Sequence, residues 1–187
     1  SIAAMRAASG VRSIVVACPP GHVHDLGGQG LGVVDGGATR AQSVANALAA
    51  VGTELVAIHD AARPLVTPEL VEGVVATLVT DPDADGAIAA TPVTDTIKRA
   101  PEGVIEATVD RARLWAAQTP QVFRVEALRR ALEADPARVE SATDEAMLIE
   151  AAGGRVLIHP ATPENLKVTT PLDLRLAELL LTERTPG

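Results

Sequence analysis

The sequence predicts an α/β fold, a Rossmann-like, mostly parallel sheet with helices on both faces and a polar β-hairpin that either projects as an arm or lies on the surface. Three observations carry this. Short apolar runs of strand length recur along the chain, and amphipathic segments with helix caps lie between them. The runs are apolar at consecutive positions, as in strands covered on both faces. One polar stretch near 94–110 interrupts the alternation.

The elements follow in order. "RSIVVAC" (12–18) and "LGVVDGG" (31–37) read as strands. Thr39 is a helix N-cap, with Gln42 three residues on as a capping box, and the helix continues to Gly52. "ELVAIHD" (54–60) is the next strand. Thr67 and Pro68 open a helix through about Val79. "GAIAATPV" (86–93) is a buried strand. "DTIKR" and "GVIEATV" flank the turn signal Pro101-Glu102-Gly103 and read as short polar strands. They form either an arm projecting from the sheet or a plain surface hairpin. "VEALRRALEAD" (125–135) and "DEAMLIEAA" (144–152) are amphipathic helices, the second capped by Thr143 and ended by Gly153. "RVLIHP" and "NLKVT" are short strands, and Thr170-Pro171 opens the last helix.

Composition narrows the class. At 187 residues the chain has the length of one ordinary domain. A net charge of −8 and 1 % aromatic content argue against a nucleic-acid surface. No apolar run approaches the roughly 18 residues of a membrane span, and no secretory h-region opens the chain. Cys18 is the single cysteine and closes an apolar run, so a buried free thiol in the reducing cytoplasm is expected. "IAAMRAAS" reads as the end of a helix whose beginning is absent, which predicts that the chain is the later part of a longer domain.

In open α/β sheets, ligands bind beyond the carboxyl ends of the strands. That rule selects Gly36, Gly37 and Arg40; His59, Asp60 and Arg63; Thr94, Asp95 and Thr96; and Lys167 with Thr169. Asp60 has no carboxylate neighbour in sequence. It is either a Mg2+ ligand, since Mg2+ takes one or two carboxylates plus substrate phosphates, or a turn residue paired with Arg63. Arg40, Arg63, Arg111 and Lys167 are candidate phosphate cations. Gly36-Gly37 either admits a ligand to the backbone or forms a simple turn. "GGQGLG" (27–32) lacks dinucleotide-fingerprint spacing and precedes a strand, so it is a loop. His22 and His24 read as loop residues and His159 as structural. No G-x-S-x-G, C-x-x-C or H-E-x-x-H pattern occurs. The residues alone point to a phosphate-bearing ligand with Mg2+.

"HDAARP" (59–64), "GGATRAQSV" (36–44), "DTIKR" (95–99), "TVDRARLWAAQTPQVF" (108–123), "TDEA" (143–146) and "NLKVT" (165–169) occur in an order and spacing that resemble the 2-C-methyl-D-erythritol 4-phosphate cytidylyltransferases of non-mevalonate isoprenoid synthesis. The resemblance covers nearly the whole chain and implies a single nucleotidyltransferase domain over 1–187, with an arm region at 94–118. It implies cytidylyl transfer from CTP, with pyrophosphate as leaving group. Asp60 would hold Mg2+; Gly36, Gly37, Ser43 and Ala61 would line the cytidine site; Lys167 would stabilise charge at the α-phosphate. The arm would cross a homodimer two-fold, bringing Thr96 and Arg111 to the polyol phosphate of the other subunit. Arg63, Thr119 and Thr143 would complete that pocket.

Two departures accompany the resemblance. Family members begin with a strand and a glycine-rich loop bearing an Arg and a Lys, which this sequence lacks and a longer native chain is expected to supply. Ala38 stands where relatives often carry a polar side chain near the base. Two alternatives remain beside this reading: a cytidylyltransferase for another polyol phosphate such as ribitol 5-phosphate, and a non-catalytic nucleotide-binding module.

Overall fold

The computed structural model describes residues 1–22, 30–134 and 136–184, the side chains of 136–138 excepted. His24, Asp25 and the first part of the 27–32 loop fall outside the described residues. A short helix α1 (Ile2–Ala7) precedes strands β1 (Val15–Cys18) and β2 (Gly32–Asp35), which pair in parallel. Helix α2 (Arg40–Leu48), β3 (Leu55–Ile58), α3 (Pro68–Val79) and β4 (Gly86–Pro92) follow. Next come the hairpin β5 (Ile97–Arg99) and β6 (Ala107–Val109), and the long strand β7 (Trp115–Arg124). Helices α4 (Val125–Ala134), α5 (Pro136–Ser141) and α6 (Glu145–Ala151), strand β8 (Val156–Pro160) and α7 (Pro171–Arg184) complete the chain.

The main sheet has the order β3-β7-β4-β8. β4 and β8 run parallel, and β7 runs antiparallel to both β3 and β4. Three of its four strands therefore point one way, with β7 as the exception. Alternation along the strands covers both faces. Ile88 and Phe123 enter one core with Leu128, Leu148 and Ile149 from α4 and α6. Ala87, Ala89 and Val122 enter the other with Val74 and Leu78 from α3. The doubly covered α/β sheet expected from the sequence is the sheet observed.

The caps form as their chemistry dictates, with two changes. Thr39 Oγ1 accepts from the Gln42 amide at 3.1 Å, but Gln42 Oε1 accepts from the Ala38 amide, one residue earlier than a standard box. α2 also ends at Leu48, before Gly52. Thr67 caps α3, and Pro68 occupies its first turn, where a missing N–H costs nothing. α6 is capped by Asp144, whose Oδ1 accepts from the Met147 amide at 3.0 Å; Thr143 does not cap it. A carboxylate is the stronger acceptor and adds a favourable dipole interaction at a helix N-terminus. Gly153, at φ 81°, ends the helix as expected.

Two strand expectations change. "NLKVT" is irregular backbone, tied to the HDAARP loop by the Val168 amide donating to Ala62 O at 2.7 Å. β7 is not predicted by the sequence, because Pro120 argues against an internal strand. The register with β4 breaks between Ile88 and Ala90, where residues 118–120 pass, so the ladder does not need an N–H from Pro120.

Candidate active site

The loop after β3 is held by a directed hydrogen-bond chain. The Asp60 amide donates to Thr119 Oγ1 at 3.0 Å. Thr119 Oγ1 lies 3.0 Å from His59 Nδ1, and His59 Nε2 lies 3.0 Å from Arg63 O. A carbonyl only accepts, so Nε2 carries the proton and Nδ1 accepts from the Thr119 hydroxyl. Burial holds His59 below its ordinary pKa, in keeping with that neutral ring. The loop backbone and β7 thus aim the Asp60 side chain.

Asp60 stands between two cations. Lys167 Nζ is 2.8 Å from Oδ2, and Arg40 Nε and Nη2 are each 3.3 Å from Oδ1. Burial opposes its charge, but Lys167 and Arg40 outweigh it and hold the carboxyl below the ordinary value. Arg63 is not its ion-pair partner: Arg63 Nη1 donates to Asn165 O at 2.7 Å. Arg40 turns its short bonds elsewhere, with Nη1 at 2.6 and 2.7 Å from the two oxygens of Glu145. Burial pushes the Glu145 carboxyl up, and the bond to Arg40 pulls against it. For Arg40, burial works against the charge, and the Glu145 bond together with both carboxylates outweighs it, so the guanidinium stays ionised.

These groups surround a cavity of about 210 Å3, lined by Arg40, Asp60, Arg63, Thr119, Gln121, Thr143, Asp144 and Lys167. Of the acceptor-site residues expected from the sequence, Arg63, Thr119 and Thr143 therefore reach one cavity with Asp60 and Lys167. Thr96 and Arg111 do not line it; they lie on the exposed arm, where Arg111 Nη1 donates to Thr94 O. The expected cytidine residues lie outside the cavity's lining too. The Gly37 amide donates to Ser43 Oγ at 3.0 Å, and Ser43 Oγ donates to Thr39 O at 3.0 Å, which pins the turn into α2. A Cβ on Gly37 would lie 2.3 Å from Gln42 Cγ, so that turn admits only glycine without a shift. Ala61 sits exposed in the turn beside Asp60.

Reasoning from the sequence missed Glu145 and Gln121. Gln121 Nε2 donates to Asp144 Oδ2 at 2.9 Å, while Gln121 Oε1 and Arg63 Nε are buried without a protein partner. Such orphaned polar atoms beside a cavity suit a polar occupant. By formal charge, Arg40, Arg63 and Lys167 balance Asp60, Asp144 and Glu145. No cluster of three or more His, Cys, Asp or Glu suited to a metal occurs among the described residues. Asp60 and Asp144 are the carboxylates on the cavity, and one or two carboxylates fit a Mg2+ ion whose remaining ligands are water and substrate phosphates, not an all-protein cage.

Known proteins share this sequence and fold. The 2-C-methyl-D-erythritol 4-phosphate cytidylyltransferase of Symbiobacterium thermophilum is 49 % identical over 154 residues, 81 % of this chain and 64 % of its own. The bifunctional enzyme IspD/IspF of Anaeromyxobacter sp. (strain Fw109-5) is 44 % identical over 193 residues, 95 % of this chain and 48 % of its own. The chain thus spans under two thirds of the first relative and about half of the second. The crystal structure of 2-C-methyl-D-erythritol 4-phosphate cytidylyltransferase from Thermus thermophilus superposes with a TM-score of 0.83 at 35 % identity, covering 97 % of this chain and 86 % of that one. The family profile described as IspD, 2-C-methyl-D-erythritol 4-phosphate cytidylyltransferase, matches residues 1–183, and with these relatives it places the chain in that family.

Proposed function

We propose that the protein transfers the cytidylyl group of CTP to 2-C-methyl-D-erythritol 4-phosphate in the cytoplasm, forming CDP-methylerythritol and pyrophosphate. The observation that carries this reading is the meeting of Asp60, Lys167, Arg63, Thr119 and Thr143 on one cavity. An oxygen of the acceptor phosphate forms a bond to the α-phosphorus. The bond from that phosphorus to the α–β bridging oxygen breaks, and pyrophosphate leaves with the electron pair. Such transfers depend on positioning and charge stabilisation. Lys167 leaves Asp60 for the α-phosphate oxygens, where its ammonium offsets the growing charge. Arg63 and Thr143 hold the acceptor phosphate, and Thr119, whose hydroxyl proton goes to His59, shapes the pocket beside them. Gly36, Gly37, Ser43 and Ala61 present the backbone and hydroxyl groups of the cytidine side.

Asp60 would hold Mg2+, which would neutralise charge on the substrate phosphates. The arm at 94–118 supplies Thr96 and Arg111 to the acceptor pocket of a second subunit, so the functional unit is a homodimer. The single nucleotidyltransferase domain is completed by a glycine-rich strand-and-loop unit. Support for this comes from β1 and β3, apolar strands that each pair along one edge only among the described residues and whose residues are all at least partly exposed except Cys18.

The test is pyrophosphate release by the full-length protein with CTP, Mg2+ and either methylerythritol phosphate or ribitol 5-phosphate. Turnover with the first is expected. Faster turnover with the second reassigns the acceptor, and no turnover with either leaves a nucleotide-binding module.

A further inference from the structure

Glu145 is the buried carboxylate of the described residues, 1 % exposed, and none of the sequence motifs assigns it a role. It opens α6 directly after Thr143 and Asp144. Arg40 opens α2 after Ala38 and the cap Thr39, which follow the Gly36-Gly37 turn. Their ion pair ties the two sides of the cavity together across 105 residues of sequence. Its geometry is unequal. Arg40 lies 2.6 and 2.7 Å from Glu145 but 3.3 Å from Asp60. Charge-assisted N–H···O bonds relax to about 2.7–2.9 Å when nothing restrains them. Glu145 therefore holds the guanidinium short of Asp60. The tight partner of Asp60 is Lys167, whose side chain is 45 % exposed and has room to leave.

We propose that Glu145 is a positioning residue: by clamping Arg40 it holds the guanidinium at 3.3 Å from Asp60, short of a tight pair, so that the close partner of Asp60 is Lys167, which departs when phosphates bind. The inference rests on the cytidylyl-transfer reading. Without the Glu145 charge, Arg40 has Asp60 as its remaining anion and closes on it. Asp60 is then masked by a cation that does not leave.

The test compares Glu145→Gln with Glu145→Gln/Arg40→Met. A crystal structure of the single variant is expected to show Arg40 within about 2.9 Å of Asp60. Its kcat is expected to fall about 10- to 100-fold, with KM for CTP changed less than about threefold. The double variant removes the trespassing cation and is expected to regain at least about tenfold of that loss. An Arg40 that stays in place or turns to solvent overturns the proposal, as does a double variant no faster than the single. Replacing both members of a buried pair is better tolerated than stranding one. Should the single variant not fold, the double variant decides: activity within about 30-fold of wild type is expected, and a greater loss overturns the proposal. If the wild type itself shows no turnover, the reaction reading fails, while the crystallographic comparison still judges the clamp.

Discussion

Strand β7 crosses from one kind of region to another. Its first residues, Trp115 to Ala117, are exposed, as is most of the arm, and from Thr94 to Ala117 no residue is buried. From Gln118 to Phe123 every residue is buried, and Gln118, Thr119 and Gln121 among them line the Asp60 pocket. In the pocket, charges meet inside one chain: Asp60 with Lys167 and Arg40, and Arg40 with Glu145. On the arm, Lys98 reaches Thr108, Arg111 reaches a backbone carbonyl, and Val104 and Ile105 stand 70 % and 63 % exposed. A two-stranded hairpin is at best marginal alone, and exposed apolar tips mark contact surfaces. The pocket ties together distant parts of the chain, whereas the arm's contacts, the Arg99–Glu106 pair at 3.6 Å among them, stay within it and leave its apolar tip exposed.

Substitutions on either side of that contrast test it. The largest effect is expected from Lys167→Ala, which removes the cation proposed to meet the α-phosphate. Turnover should fall about 100- to 1000-fold. Its melting temperature should move little, because the side chain is half-exposed. A melt that collapses with the activity would make the pair structural. Arg111→Ala should follow, with turnover down about 10- to 100-fold and an unchanged melt. Mixing it with Lys167→Ala should restore activity once subunits exchange, since one site of each mixed dimer is then intact. No recovery, with exchange verified by mass, would confine the arm to its own chain.

Asp144→Ala comes third. It removes the cap of α6 and the shorter of the two bonds from Gln121 Nε2, for a loss of about 1–2 kcal/mol in denaturant unfolding. Thr143→Ala should cost less than about 0.5 kcal/mol. Equal losses would return the cap to Thr143. The smallest effect concerns acid. Asp60 is held below its ordinary value, so its stabilisation is full above the unfolded pKa near 3.8 and fades as pH falls through the lower folded value. Asp173 behaves alike, held at about 2 by bonds from Thr169 and Thr170. Lys167→Ala should shrink the Asp60 share and leave that of Asp173, flattening the acid limb of a stability–pH curve. An unchanged limb would show that Lys167 does not set the charge of Asp60.

Much of the fold is legible in the sequence because its signals are local. Thr67-Pro68, Thr39 and Gly153 act within one turn, and each marks an element end as expected. The strand at 115–124 is not legible, because Pro120 contradicts it locally and only the register break opposite β4 accommodates it. Thr143 and Asp144 compete for one cap, and sequence does not reveal which side chain turns inward. Within the site, HDAARP and NLKVT carry Asp60, Arg63 and Lys167 by motif. Glu145 sits inside TDEA beside two more conspicuous residues, and nothing in that string says its carboxylate is buried.

The alternation of strands and helices, the caps, and the motifs that place the chain in its family are all written in the amino-acid order, because they depend on side chains acting on nearby backbone. Folding in three dimensions was needed to set β7 against its neighbours and to bring Arg40 and Glu145, 105 residues apart, into their short pair. It also gave Asp60 to Lys167 and Arg40, and not to Arg63 three positions away. Coulomb attraction and hydrogen bonding depend on distance and burial in space, and the chain sets those only once its sheet has folded.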